Sequence, residues 1–118
     1  LSQTSTGLQM SGSFTGNFTA TGDITAYSDD RLKTNVKTID GALDRVSKVR
    51  GVTFDRIEDG STSTGVVAQE LAAVLPEAVK TDENGMHHVA YGNVTGLLIE
   101  AVKELSAQVE ELKSLHKI

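Results

Sequence analysis

Ser28 and Lys33 are the two residues of this sequence best suited to covalent chemistry, a hydroxyl and an amine five residues apart. A serine hydroxyl becomes an effective nucleophile when a neighbouring base removes its proton. Lysine can be that base only in its neutral form, which burial or a nearby cation such as Arg31 would favour. Residues five apart share a face of neither a helix nor a strand, so the two side chains can meet only across a bend. On spacing alone, a solvated Ser-Asp turn that leaves Lys33 in water is the simpler interpretation.

The other polar clusters are weaker candidates for a site. His87 and His88 are adjacent, and on a strand their rings would point to opposite faces, so we expect no metal site there. The acidic pairs lack the spacing of an EF-hand and are typical of solvated loops. No glycine-rich phosphate loop follows a strand in the required pattern. We therefore expect neither a metal nor another cofactor.

Composition narrows the class of partner. The chain has 118 residues, a formal net charge of -5 and no cysteine. An acidic chain lacks the concentration of Lys and Arg that nucleic acids and anionic membranes require, so we expect neither as a partner. Without cysteine there is no disulfide framework. The chain begins at Leu1 rather than Met, and we interpret it as a piece of a longer protein.

The composition changes sharply after Tyr27. Residues 1–27 contain no Lys or Arg, and 14 of these 27 residues are Ser, Thr or Gly. Phe14, Phe18 and Ile24 recur among the threonines, with glycines between them, which favours short strands broken by turns. We predict that residues 1–27 are the β-rich end of a fibre shaft whose core neighbouring chains complete. A flexible linker is the alternative.

Residues 28–118 are predicted to be a small α+β domain. A helix should follow Asp40 as N-cap and stop near Gly51, because its apolar residues have helical spacing. The alternation after Gly51 predicts a strand, followed by a loop over residues 58–65.

Farther along the chain, a second helix should run from Ala68 to Leu75 and end before Pro76. The turn signal at residues 82–85 lies between two short apolar runs. This pattern predicts a β-hairpin.

The last helix, predicted over residues 97–118, has the pattern of a coiled coil. Its apolar residues alternate in steps of four and three, with a weaker position at His116. Apolar Ile99, Ala101 and Leu115 widen the stripe, which suits three strands or docking on the chain's own body. We call the predicted interface the seam, and it consists of Leu98, Val102, Leu105, Val109 and Leu112.

Residues 28–36 resemble the opening motif of the intramolecular chaperone autoprocessing domain, peptidase family S74. The stretches at residues 65–71 and 75–79 are similar to the central block of that family. Tyr91 and residues 97–105 resemble its C-terminal helix, and residues 16–27 look like the fibre shaft that often precedes the domain. Such domains end phage tailspikes and long tail fibres, and a related one occurs in membrane-bound myelin regulatory factors.

The resemblance implies a Ser–Lys dyad that cuts the chain between Tyr27 and Ser28. Ser28 would be the nucleophile and Lys33 the general base, with Arg31 as possible support and Asn35 or backbone amides as oxyanion donors. It further implies an intertwined homotrimer that matures the shaft of the same chain. The shaft would remain in the virion tail fibre, and the chaperone, made in the host cytoplasm, would be released.

Two alternatives remain open. A purely structural trimerisation cap would hold the fibre ends together without cutting. A regulatory-factor domain would release a DNA-binding segment from a membrane, but the Ser/Thr/Gly-rich shaft and the absence of a basic region argue against it.

Overall fold

A computed structural model of the chain describes residues 2–4 and 7–116. These residues form short antiparallel strands, several helical segments and one long C-terminal helix, which confirms the predicted mixed class. The chain divides into two compact units, Leu1–Val36 and Lys37–Ile118. This division follows compactness and falls after the motif that holds Ser28. The predicted domain boundary between Tyr27 and Ser28 rests on composition and on the expected cut, and it stays a prediction.

The first unit contains little regular structure. Strands β1 (Ser2–Thr4) and β2 (Gly7–Gln9) form an antiparallel hairpin. Residues 10–29 form neither helix nor strand, and Phe14 packs edge-to-face on Phe18 with 5.6 Å between the ring centroids. The strands predicted around Phe14, Phe18 and Ile24 are therefore not formed in the single chain. A strand needs backbone partners, and here no second chain supplies them.

The second unit alternates helices with hairpins. Strand β3 (Val52–Asp55) pairs with β4 (Thr62–Gly65) so that Val52 lies opposite Gly65, and β5 (Val79–Thr81) pairs with β6 (His87–Val89) so that Val79 lies opposite Val89. The elements are α1 (Ala42–Val46), β3 (Val52–Asp55), β4 (Thr62–Gly65), α2 (Ala68–Ala72), a 3-10 turn (Pro76–Ala78), β5 (Val79–Thr81), β6 (His87–Val89), a 3-10 turn (Tyr91–Asn93) and α3 (Val94–Leu115).

The core of this second unit is small. Helix α1 packs on the N-terminal half of α3, and α2 packs on the β5–β6 hairpin. None of the helices in the described part of the chain is long and apolar enough to cross a membrane. The buried apolar residues are Ala42, Leu71, Leu75, Ala78, Leu97 and Ala101.

The start of α1 differs from the prediction. Gly41, not Asp40, is the N-cap, and its φ of 58° lies in the left-handed region that glycine adopts without strain. The carboxylate of Glu104 accepts the first amides instead, from Ala42 N at 2.8 Å and Leu43 N at 3.2 Å. The helix ends at Val46, well before Gly51.

Three further boundaries differ. The last four residues of the predicted loop, Thr62–Gly65, form β4 because they find a partner in β3. The second helix ends at Ala72, before Pro76 is reached. Helix α3 begins at Val94 because the 3-10 turn over Tyr91–Asn93 leads directly into it. The predicted end of α3 at residue 118 lies outside the described residues.

Tyr91 joins two of the sequence blocks. Its hydroxyl accepts a hydrogen bond from Val66 N at 3.3 Å. The ring lies against Gly65, where an added Cβ would overlap the Tyr91 hydroxyl. Glycine at position 65 therefore permits the close approach of Tyr91 to the end of β4.

Candidate active site

A single tight turn separates Ser28 from Lys33. Residues Asp30–Leu32 form one turn of 3-10 helix, in which Lys33 N donates to Asp30 O at 3.0 Å. At Lys33 the backbone returns to an extended conformation, with φ of -124°. The chain therefore bends between the two residues.

The bend brings the two side chains together. Lys33 Nζ lies 2.9 Å from Ser28 Oγ and donates a hydrogen bond to it. This is the separation at which a base can take a proton from a nucleophile. Spacing alone favoured a turn that leaves Lys33 in water. The structure has that turn, and the exposed amine of Lys33 nevertheless reaches Ser28 Oγ.

Arg31 directs its hydrogen bonds to Asp29. Its Nε donates to Asp29 Oδ1 at 3.0 Å and its Nη2 to Asp29 Oδ2 at 2.9 Å. These bonds lower the pKa of the Asp29 carboxyl to about 2 and raise the pKa of the Arg31 guanidinium. The positive charge of Arg31, which was expected to act on Lys33, is thus paired with the Asp29 carboxylate.

Asn35 is the predicted oxyanion donor. Its backbone is left-handed, with φ of 54°, a conformation that asparagine adopts more readily than most residues. Among the described residues, the Asn35 side chain has no hydrogen bond to Ser28 or Tyr27. An open cavity of about 330 Å³ lies beside the expected cut and is lined by Tyr27, Asp29, Arg31 and Leu32.

The whole segment is exposed to solvent in the single chain. Every residue from 27 to 36 is exposed, and Tyr27 is 96% exposed. A lysine base needs burial or a nearby unpaired cation to hold its amine neutral. The segment therefore has the geometry of a dyad without the environment that would make Lys33 a base.

Helix α3 has two different apolar faces. Leu97 and Ala101 are buried against the chain's own core, so the helix does dock on its own body. The five seam residues are between 42% and 64% exposed, and the first of them, Leu98, borders a cavity beside Leu71 and Leu97. From residue 105 to residue 116 every side chain is exposed. The seam is thus an apolar surface that the single chain leaves uncovered.

The two histidines have separate partners. His87 Nδ1 lies 2.8 Å from Thr81 Oγ1, and His88 Nε2 lies 3.5 Å from Asp82 Oδ2. In the part of the chain that the structure describes, no group of three or more His, Cys, Asp and Glu side chains could hold a metal ion.

Part of the chain is similar to a known protein family. Residues 28–80 match the Peptidase S74 family model, described as chaperone of endosialidase, and the match begins at Ser28 itself. This segment is similar to the chaperone of endosialidase family. The turn, the Ser28–Lys33 pair and Leu71, the core residue of α2, all lie inside the matched range.

The chain is also similar to phage long tail fibre proteins. It is 48% identical to the long tail fiber protein Gp37 of Enterobacteria phage K3 over 96 residues, which are 74% of this chain and 8% of that protein. It is 38% identical to the Gp37 of Enterobacteria phage Ox2 over 109 residues, 84% of this chain and 42% of that protein. The Gp37 of Salmonella phage S16 is 34% identical over 113 residues, 80% of this chain and 15% of that protein. The chain thus spans less than half the length of these relatives.

Asp29 and Glu104 are the residues that the sequence prediction missed in the described part of the chain. Asp29 carried a signal, because aspartate often accepts a hydrogen bond from the backbone two residues farther on. Glu104 carried none, since it caps a helix that begins 62 residues earlier in the chain.

Proposed function

We propose that this chain is the C-terminal intramolecular chaperone of a phage tail fibre, which assembles as a homotrimer and then cuts itself between Tyr27 and Ser28. The hydrogen bond of 2.9 Å between Lys33 Nζ and Ser28 Oγ is the observation that carries the proposal. It lies at the start of the family match, in a chain that resembles long tail fibre proteins.

The proposed reaction is an acyl transfer within one chain. Ser28 Oγ attacks the carbonyl carbon of Tyr27 while Lys33 Nζ removes the hydroxyl proton. Lys33 then gives that proton to the Ser28 backbone nitrogen as the C–N bond breaks, which leaves an ester between the Tyr27 carbonyl and Ser28 Oγ. Water, activated by the same amine, hydrolyses the ester. The products are a carboxylate on Tyr27 and a free amine on Ser28.

Assembly would supply the environment that the single chain lacks. Removing Lys33 from water would favour its neutral form, and neighbouring copies are the proposed source of that burial. Cutting would then report that three chains have assembled correctly. Release of the chaperone would make the fibre kinetically resistant to unfolding, because the part that organised the chains has left.

The exposed seam supports a homotrimer. A row of five half-exposed apolar residues along one helix is unusual on a monomer and typical of a surface that another copy covers. The width of the stripe, with Ile99 and Leu115 also exposed, favours three helices over two. The shaft would stay in the virion fibre, and the chaperone domain would be released after maturation in the host cell.

Intact mass measurement with light scattering tests the proposal. The wild-type chain should yield fragments 1–27 and 28–118, whereas Ser28→Ala and Lys33→Ala should remain whole. Both variants should still form trimers. Lys37→Ala is the matched control, an exposed lysine four residues beyond the pair, and it should cut like the wild type. Normal cutting by Lys33→Ala would eliminate the proposed base.

A structural cap that never cuts is the second candidate. The exposure of Lys33 in the single chain favours it, and so do the names of the relatives, which describe fibre proteins. It predicts a wild-type chain that trimerises and keeps its full mass. The same measurement therefore separates the two candidates.

A further inference from the structure

Asp29 makes more hydrogen bonds than any other residue in the described part of the segment at residues 27–36. Its Oδ1 accepts from Arg31 N at 2.8 Å and from Arg31 Nε at 3.0 Å, and its Oδ2 accepts from Arg31 Nη2 at 2.9 Å. One carboxylate therefore fixes both the backbone and the side chain of the residue two positions later. Arg31 is in turn the central residue of the turn that joins Ser28 to Lys33.

The turn depends on local contacts. Residues 27–36 are all exposed, so the single chain offers them no buried packing. The backbone bonds of the turn are those from Leu32 N to Asp29 O at 3.1 Å and from Lys33 N to Asp30 O at 3.0 Å. Ordering each residue of the turn costs backbone entropy, so two such bonds hold it weakly. The three hydrogen bonds to the Asp29 side chain add to these two backbone bonds, so five hydrogen bonds hold the turn closed.

Other aspartates of the chain provide a comparison. Asp59 accepts from Ser61 N at 2.9 Å and Asp82 from Asn84 N at 2.9 Å, so each caps the backbone two residues on, as Asp29 does. Among the described residues, only Asp29 adds an arginine fork to this cap. Planar, paired contacts of this kind are the most geometrically specific that a carboxylate makes.

The fork also controls the charge near Lys33. An unpaired carboxylate on the residue next to Ser28 would favour the charged form of the lysine amine. Arg31 occupies that carboxylate, and its bonds lower the pKa of Asp29 to about 2. The neighbouring Asp30 also faces Asp29 and lies within the same turn.

We infer that Asp29 is the positioning residue of the Ser28–Lys33 pair. Through Arg31 it closes the turn that holds Lys33 Nζ at Ser28 Oγ, and it sets the rate of cutting without taking part in proton transfer. This inference rests on the proposed self-cleavage and names the residue that prepares it.

The test measures the first-order rate of cutting across a range of pH, with the fraction of trimer recorded in each sample. Asp29→Ala should lower the maximal rate about tenfold to a hundredfold, the loss expected from misplacing a catalytic group by about 1 Å. Asp29→Asn should lose less, because its amide oxygen can still accept from Arg31 N. Trimer content should stay as in the wild type. Because Arg31 loses its partner, the pH at half-maximal rate should fall, and the maximal rate should fall as well.

Asp59→Ala is the matched control, because it removes the same backbone cap from a hairpin far along the chain. It should cut at the wild-type rate. A further variant, Arg31→Lys, keeps the positive charge but cannot form the fork, so it should resemble Asp29→Asn.

Three results would overturn the inference while leaving the proposed function standing. They are an unchanged rate in Asp29→Ala, a rate that falls only in proportion to lost trimer, and a shift in the pH midpoint at constant maximal rate. The second would make Asp29 an assembly residue, and the third would make it an electrostatic one. A wild-type chain that stays whole overturns both proposals together.

Discussion

Residues 28–36 and the body, defined as residues 37–116, are held in shape by contacts of different range. In the segment, the contacts join residues no more than five apart, from Arg31–Asp29 to Lys33–Ser28. In the body, the cap of α1 joins residues 62 apart, and the core draws on three helices. The segment is exposed throughout, whereas the body buries a compact apolar cluster.

This difference shows that the arrangement of Ser28 and Lys33 and the burial of the two side chains have separate causes. A short local turn is enough to bring a hydroxyl and an amine together. Changing how readily the amine gives up its proton needs burial, which requires many residues that pack from several directions. In the single chain the body buries its own core but the segment stays in water, so the proposed trimer must supply what the segment lacks.

The largest expected difference concerns two leucines. Leu71 is buried in the body and Leu32 is 68% exposed in the segment. In the Ser28→Ala background, Leu71→Ala should lower the free energy of unfolding by about 2–5 kcal/mol. At protein concentrations too low for assembly, Leu32→Ala should change it by less than about 0.5 kcal/mol. Urea unfolding followed by circular dichroism, at one fixed protein concentration, measures both.

If Leu71→Ala and Leu32→Ala lowered the free energy of unfolding equally, the proposed difference between the body and the segment would be wrong. Such equal losses would mean that Leu32 is packed against other residues. Repeating the measurement at several concentrations would then show whether another copy buries Leu32, because stability that depends on assembly rises with concentration.

A smaller effect is expected at the cap of α1. Glu104→Ala removes the acceptor of the Ala42 and Leu43 amides, and loss of an N-terminal cap costs about 0.5–2 kcal/mol. Hydrogen exchange should show faster exchange at these two amides. Glu111→Ala, an exposed glutamate on the same helix, is the control and should leave both amides protected. Unchanged protection in Glu104→Ala would show that local contacts suffice for α1 as well.

The smallest expected effect is that of low pH on the Asp29 carboxylate of the segment. The Arg31 bonds lower the pKa of Asp29 to about 2, so the folded segment favours the ionised carboxylate. The pairing is therefore complete above the usual pKa of an aspartate and is lost as the pH falls through about 2. NMR titration of the Asp29 carboxyl in the Ser28→Ala chain should give a midpoint near that value.

In Arg31→Ala the titration midpoint of Asp29 should rise towards its ordinary range. High salt should raise it in the unsubstituted segment as well, because an exposed pair is screened. If neither Arg31→Ala nor high salt moved the titration midpoint, Arg31 would not be the cause of the lowered pKa of Asp29.

Prediction from sequence succeeded where the signal was local. The β5–β6 hairpin was predicted from the turn residues at 82–85, and the strand after Gly51 from alternation. Ser28 and Lys33 were singled out by the resemblance of residues 28–36 to a known motif, since spacing alone favoured a solvated turn. The helix beginning at Val94 was placed three residues too late, because Gly96 does not interrupt it.

Features that depend on distant residues were not predictable. Asp40 had the type of an N-cap, but Gly41 turns the backbone left-handed and Glu104 takes the amides instead. The heptad pattern of α3 predicts the seam, yet it did not show that Leu97 and Ala101 pack on the chain's own core while the seam residues stay exposed.

The physical reason is the range of the interactions. Turns and caps within two residues involve atoms that are always close in sequence, so residue types alone constrain them strongly. Which face of α3 is buried, and which carboxylate caps α1, depends on the packing of segments that meet only after folding. Many arrangements bury a similar apolar area, and their differences emerge only from the complete set of contacts.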